Sequence, residues 1–282
     1  MTQANKVLIT GGTGNIGSAV VAELLQYDYQ VSVLCRSEQS AEKALKLGAQ
    51  VISGDIQQPE VWLEQLNQFD GLIHLACGFG EDMGQVDLAL MQAVAQAAAE
   101  RDQSLTLLYT SGCWTYGDHA DLITEQTPKT SIPAFQWMLD SITYLKQQSG
   151  IDLRVVSPTN VVDKTVHSVP PILLWELERM GQPCVPESEQ LCWALVEREN
   201  LAELYRLVLE KGLSGEEYIA AGDEAMTVGG LGQQLSDQPV KVVPVSEWQQ
   251  VYGDWAQGYG LNQPFSSAKA IKELGWQPRS VF

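Results

Sequence analysis

The apolar stretch Val7-Leu8-Ile9 runs into Thr10-Gly11-Gly12-Thr13-Gly14-Asn15-Ile16-Gly17, and residues at helical apolar spacing follow. A strand, a glycine-rich turn and a helix in that order suit the diphosphate of a dinucleotide. Gly11 permits the tight turn, Gly14 lets the backbone approach the anion, and Gly17 lets the helix pack closely on the strand. Gly11, Thr13, Gly14, Asn15 and Ile16 would then present N–H groups and the positive end of the helix dipole to the ligand.

The end of the second apolar run selects between dinucleotides. A carboxylate there would take the ribose hydroxyls of NAD, but Val33-Leu34-Cys35-Arg36-Ser37 supplies a guanidinium and a hydroxyl. Arg36 can clamp a 2′-phosphate with its planar fork, and Ser37 can donate to the same group. The residues therefore predict NADP(H) in preference to NAD(H), with NAD(H) still open.

These groups need a frame that brings strand ends together. Short apolar runs recur at Lys6–Thr10, Gln30–Cys35, Ala49–Gly54, Gly71–Ala76, Leu105–Ser111 and Leu153–Ser157. Amphipathic stretches separate them: Ile16, Val20 and Leu24 share a face, as do Val61, Leu63 and Leu66, and later Leu88, Met91, Val94, Ala95 and Ala98. The alternation predicts an α/β fold, a Rossmann-type doubly wound parallel sheet with a smaller C-terminal lobe. Residues 1–163 would form the dinucleotide-binding domain, with 195–222 returning to it, and 164–194 with 223–282 would form the substrate lobe. Pro170, Pro171, Pro183 and Pro186 mark the change of pattern.

At 282 residues the chain can bury a sizeable core, and its 17 Lys and Arg against 35 Asp and Glu give a net charge of -18. Such a field repels phosphate backbones and anionic lipids, so neither nucleic acid nor membrane is an expected partner. Five cysteines without a C-x-x-C pair, no basic apolar leader and no long apolar run predict a cytoplasmic location. The three histidines are too scattered to suggest a metal site.

With the glycine turn, Arg36, Ser53-Gly54-Asp55-Ile56, Leu72-Ile73-His74-Leu75-Ala76, and Leu108 to Gly117, the chain resembles the short-chain dehydrogenase/reductase superfamily. It is most similar to the atypical or extended, epimerase/dehydratase-like branch. Ser266-Ser267-Ala268-Lys269 and Glu273 to Pro278 carry the likeness to the C-terminus. The resemblance implies that Asp55 and Ile56 border the adenine, that Ala76, Cys77 and Gly78 pass under the nicotinamide ribose, and that Pro158 to Val161 lie beside the nicotinamide. It also implies that helices near Gly84–Arg101 and Pro133–Ser149 would pair in a homodimer.

The resemblance further implies a tyrosine with lysine one helical turn later, because residues i and i+4 share a face and the ammonium acidifies the phenol. None of the nine tyrosines has lysine at that spacing. In Pro133 to Lys146 either Phe135 or Trp137 takes the tyrosine position, and no register restores the pair. Tyr144 and Lys146 point apart, since two residues turn a helix by about 200°. Glu197 and Asn200 also stand where the branch often has histidine and aspartate.

Ser111 and Tyr116 remain the candidate catalytic groups, with Cys113 and His119 on the same loop. His74, inside an apolar strand, reads as a satisfied core residue, and Cys113 as a buried inert thiol. Eight tryptophans suggest core packing or an apolar substrate wall in the second lobe. Two functions stay open: an oxidoreductase or epimerase-like enzyme acting on a small molecule without the Tyr/Lys pair, and a catalytically silent NADP(H) sensor.

Overall fold

The computed structural model describes residues 6–78, 80 and 82–282. The first half of the chain is built from β1 (Lys6–Thr10), α1 (Asn15–Gln26), β2 (Gln30–Cys35), α2 (Glu38–Leu47), β3 (Gln50–Ser53), β4 (Gly71–His74), α3 (Met83–Ala99), β5 (Leu105–Thr110), α4 (Gln136–Leu145) and β6 (Ile151–Pro158). The inner strands β1, β4 and β5 are short and largely apolar, as burial on both faces of a parallel sheet requires. Val7, Leu8, Ile9, Leu72, Ile73, Leu107 and Leu108 have no exposed surface.

Later elements are β7 (Asn160–Val162), α5 (Pro171–Met180), β8 (Cys184–Pro186), β9 (Cys192–Glu197), α6 (Arg198–Lys211), β10 (Glu217–Ala220), β11 (Asp223–Thr227), α7 (Val228–Gln233), β12 (Lys241–Val243), α8 (Val245–Tyr252) and α9 (Ala268–Leu274). The main sheet has seven strands in the order β10-β6-β5-β4-β1-β2-β3. Pairing is parallel from β3 through to β6. The Val155 N–H donates to the Glu216 carbonyl at 2.9 Å, where the late strand joins the edge. The predicted doubly wound sheet is therefore present.

The strand order reverses between β1 and β4, because the chain leaves β1 for β2 and β3 on one side and returns to β4 on the other. Open α/β sheets bind ligands in the crevice outside the carboxyl ends of such a pair.

Contacts divide the chain into two units. One contains the described residues up to Ser111, Trp137–Val156 and Leu201–Tyr218; the other contains Gly112–Gln136, Ser157–Asn200 and Ile219–Phe282. Residues 112–136, 157–163, 195–200 and 219–222, assigned by the sequence pattern to the dinucleotide domain, group with the second unit by these contacts. That unit has strands the pattern did not reveal: a three-stranded sheet β11-β9-β7 and the pair β12-β8.

In the first unit, Leu90, Met91, Val94 and Ala98 of α3 and Ile142 and Leu145 of α4 belong to a core with Leu72, Leu107 and Leu153 of the sheet. The apolar stripes of these helices are buried against the unit's own strands. Residues 59–68 differ from expectation. Pro59–Val61 and Leu63–Gln68 are short 3-10 segments, with Val61 exposed and Trp62 wholly buried between them. Among the described residues no helix is long and apolar enough to cross a membrane.

Candidate functional site

The glycine-rich turn is held by its own geometry. Gly11 has φ +72, and a Cβ there would lie 2.6 Å from the Ala76 nitrogen, so only glycine fits between β1 and the segment after β4. A Cβ on Gly17 would run into the Gly11 carbonyl oxygen. The Gly14 N–H donates to that oxygen at 3.0 Å. Gly14 is the N-cap of α1, with no side-chain cap, and it lines a cleft of about 380 Å³ in the first unit. The anion-favouring end of the helix opens on this space.

On the β2 and β3 side, Arg36, Asp55 and Ile56 line the cleft, together with Ser40 and Gln57. Arg36 is exposed and makes no ion pair among the described residues, so its guanidinium is available to an incoming phosphate. Trp62 supports the neighbouring loop: its Nε1 donates to the Asp55 carbonyl at 3.0 Å, and its ring fills the space a Cβ on Gly54 would need. The sequence signal for this support was a tryptophan placed soon after a strand end.

Ser37 has a different task from the one expected. Its Oγ accepts from the Ser40 N–H at 3.2 Å, while the Ser37 N–H donates to the Ser40 Oγ at 3.1 Å, a reciprocal cap on α2. Ser40, not Ser37, borders the cleft. Ser37→Ala is accordingly expected to lower the stability of the chain by about 1 kcal/mol, read from the denaturant midpoint.

On the β4 side the wall is made by Ala76, Cys77 and Gly78, then Met83, Val86 and Asp87 of α3, and Trp137 of α4. The cleft thus gathers Gly11, Thr13, Gly14, Arg36, Asp55, Ile56, Ala76, Cys77 and Gly78 from the sequence-predicted set. Asn15 and Ile16 open α1 and are not among the lining residues. Pro158 and Val161 fall in the second unit, at the end of β6 and in β7.

The two registers considered for the family's tyrosine are now distinguished. Phe135 is buried against Trp114, with ring centroids 5.3 Å apart, whereas Trp137 faces the cleft. Gly84 of α3 makes room for the Trp137 ring, since a Cβ there would lie 2.7 Å from the Trp137 Cβ. One turn beyond Trp137 stands Ser141, so the cleft-facing helix carries neither phenol nor ammonium at this spacing.

Ser141 belongs to a buried polar network unmarked by any spacing in the sequence. Asp87 Oδ2 accepts from Ser141 Oγ at 2.6 Å and from Tyr109 OH at 2.9 Å, and its Oδ1 lies 2.9 Å from His74 Nε2. His74 Nδ1 is 2.7 Å from Thr10 Oγ1, which also receives the Ala76 N–H at 3.4 Å. Both His74 nitrogens are therefore engaged, as the core reading required. Burial and the Asp87 charge hold the Tyr109 hydroxyl far above its ordinary range, so it stays a donor.

Ser111 is 4% exposed, and its Oγ has no hydrogen-bond partner among the described residues, although its N–H donates to the Val156 carbonyl at 2.8 Å. A buried hydroxyl without a partner is uncommon and directs attention to ligand chemistry. Tyr116 is wholly buried in the second unit, its ring edge-on to Phe265 at 5.3 Å with the Lys129 ammonium 4.6 Å from its centroid. That cation comes from a position thirteen residues on, outside any helical spacing.

Burial pushes the Cys113 thiol up to about 12, leaving it protonated at neutral pH. Although Cys77 is exposed overall, partial desolvation of its sulfur and the Asp87 charge raise that thiol to about 11. A His119 ring nitrogen lies 2.9 Å from the Tyr116 carbonyl. Glu197 accepts from the Glu199 and Asn200 N–H groups and so caps α6. In the second unit, Trp114, Trp193, Trp248 and Trp255 all pack around Tyr259, with centroids 4.9 to 6.0 Å away.

Residues 7–220 match the NAD dependent epimerase/dehydratase family. The chain belongs to that family. An uncharacterized Saccharomyces cerevisiae protein, YLL056C, is 27% identical over 98% of this chain and 95% of its own length. The Schizosaccharomyces pombe protein C2A9.02 is 29% identical, with 97% and 95% covered.

Among solved structures, a double mutant of the dTDP-glucose 4,6-dehydratase DesIV from Streptomyces venezuelae, with NAD and DAU bound, superposes with a TM-score of 0.79 at 20% identity. It is matched over 97% of this chain and 92% of that one. The UDP-glucose 4-epimerase of Thermotoga maritima, with UDP-glucose, also gives 0.79, at 19% identity and 97% and 93% coverage. The family member described here shares their fold. The residues that depart from the expected pattern are those of Pro133 to Lys146, Glu197 and Asn200, while the glycine turn from Gly11 to Gly17 is present.

Proposed function

We propose that the chain binds NADP(H) across the β1/β4 reversal and acts as an oxidoreductase or epimerase-like enzyme on a small carbonyl or hydroxyl compound. The observation that carries this reading is the single cleft wall shared by the glycine turn, Arg36 and the segment after β4. Its shape fits the group: glycines stand where a side chain would obstruct the backbone, and Arg36, without an ion-pair partner among the described residues, stands where a 2′-phosphate would emerge. NADP(H), when bound, supplies the hydride chemistry that no side chain can perform.

The chain's own residues would grip, orient and exclude water. The glycine turn holds the diphosphate, Arg36 the 2′-phosphate, and Trp137 with Met83 and Val86 walls off the far end. Ser111, at the carboxyl end of the strand beside β4, is the hydroxyl we assign to orient the substrate oxygen. With no Tyr/Lys pair in α4, proton exchange falls to this hydroxyl and solvent, which favours a slow reaction. The five free cysteines accord with a cytoplasmic location.

A second reading, a catalytically silent NADP(H) sensor, is favoured by Trp137 and Ser141 standing where a proton-handling pair would serve the cleft. Calorimetric titration with NADP+, NADPH, NAD+ and NADH tests the shared cofactor claim, and heat with none of them would remove both readings. A screen of carbonyl and sugar-nucleotide compounds with NADPH, followed at the reduced-cofactor absorbance, separates the two. Saturable turnover that Ser111→Ala diminishes supports the enzyme; turnover of nothing, with intact binding, supports the sensor.

A further inference from the structure

The two ends of the cleft carry opposite charge. At the β2/β3 end the side chain of Arg36 is a cation without an ion-pair partner among the described residues. At the β4 end the lining residues include Asp82 and Asp87 but no lysine or arginine. The glycine turn lies between, on β1, the strand between β2 and β4. A dinucleotide gripped at its diphosphate, with its adenosine toward Arg36, must send its other nucleoside toward the β4 end.

The Asp87 carboxylate is held by three groups. Tyr109 and Ser141 hydroxyls donate to one oxygen, and His74 Nε2 meets the other. An ionised carboxylate accepts all of these without conflict, because it is an acceptor only. With the proton on His74 Nε2, Nδ1 is free to accept from Thr10, so the chain of donors runs one way, from the Ala76 N–H to Asp87. Its charge reaches the cleft wall, where it helps raise the Cys77 thiol. Asp82 is exposed at the start of α3.

We infer that Asp87, aided by Asp82, makes the cleft selective for the oxidised cofactor. This rests on the NADP(H) reading above. The oxidised nicotinamide ring is a cation and the reduced ring is neutral, whereas the 2′-phosphate is anionic in both. Arg36 therefore favours both forms alike, and the carboxylates favour one. A cleft of this polarity lowers the potential of its bound cofactor, which makes the reduced form the stronger hydride donor and suits reduction of a carbonyl: the carbonyl carbon gains the hydride and its electron pair, the cofactor is left oxidised, and the substrate oxygen takes a proton from solvent.

The test is the ratio of NADP+ to NADPH affinity, measured by calorimetry without any substrate. Asp87→Asn keeps the shape and can hydrogen-bond His74 if that ring shifts its proton to Nδ1. It should weaken NADP+ about tenfold, the lower end of what a nearby opposite charge contributes, and leave NADPH nearly unchanged. Tenfold corresponds to a rise of about 30 mV in the two-electron potential of the bound cofactor.

Tyr109→Phe is the control, since it removes one bond to Asp87 but keeps the charge; its ratio should match the parent. Asp82→Asn, on the surface, should move the ratio in the same direction by less, and it serves as the readout should Asp87→Asn fail to fold. A ratio unchanged in the Asn variants, with both forms binding, overturns the inference and leaves the cofactor reading intact. Equal shifts in Asp87→Asn and Tyr109→Phe also overturn it, because packing rather than charge would be responsible. Absence of binding by the parent chain overturns the cofactor reading itself and this inference with it.

Discussion

Gly14→Val is expected to leave the chain folded and to abolish dinucleotide binding. Gly14 sits at φ -78 and ψ -176, an extended conformation open to any residue. An added Cβ would approach only the Gly11 carbonyl oxygen, at 3.3 Å. Valine is a poor N-cap, so a stability loss of about 1 kcal/mol is anticipated from α1. Binding should suffer far more, because the branched side chain would project where the diphosphate must approach the backbone.

Loss of two charge-assisted hydrogen bonds there is worth about 3 kcal/mol or more, on the order of 100-fold in affinity. Circular dichroism and a denaturant curve establish the fold, and calorimetry reads the cofactor. Near-parent affinity in folded Gly14→Val protein would refute the placement of the diphosphate. The same substitution at Gly11 or Gly17 is less informative, since a side chain at either would collide with backbone and damage the fold as well.

Arg36→Ala should weaken NADPH by about 2–3 kcal/mol, roughly 30- to 150-fold, because a paired guanidinium–phosphate contact is among the stronger polar interactions. NADH should lose much less. A guanidinium can also stack on an adenine, and that component would be lost equally from both nucleotides. The difference between the two losses therefore isolates the 2′-phosphate. Equal weakening would show that Arg36 serves the adenine alone and would remove the preference for the phosphorylated carrier. Arg36 is exposed and does not contribute to the core, so the variant should unfold at the denaturant concentration of the parent.

The sheet was legible because its inner strands are buried on both faces and so appear as largely apolar runs, as at Lys6–Thr10, Gly71–His74 and Leu105–Thr110. The glycine turn was legible because glycine is required where Gly11 meets Ala76, and a steric requirement leaves its mark on residue type. The cap made by Ser37 was not legible for a physical reason: a serine after a strand can serve a ligand or cap the next helix, and the bonds to Ser40 that show the cap appear only in the structure. Trp137 could not be told from Phe135, because a 3-10 turn at Pro133–Phe135 precedes the helix and shifts which residue faces inward.

Asp87 escaped notice for the opposite reason. Thr10, His74, Tyr109 and Ser141 come to it from three strands and a helix, and separations of 13 to 64 residues leave no periodic trace. The second unit's small sheets were hidden in the same way. β9 pairs with β7 on one side and β11 on the other, so partners from before and after it in the chain are needed before it becomes a sheet.

The seventh strand of the main sheet, β10, is made late, and the chain passes between the two units four times before reaching it. During synthesis the outer side of β6 therefore stays without a neighbour while roughly 60 further residues are added, several seconds at roughly 5–20 residues per second. An open strand border of this kind invites pairing with another nascent chain. Ending the chain anywhere between β6 and β10 would make that temporary hazard permanent, so a shortened product ending near residue 163 should precipitate when expressed, whereas the 282-residue polypeptide pairs that border with β10.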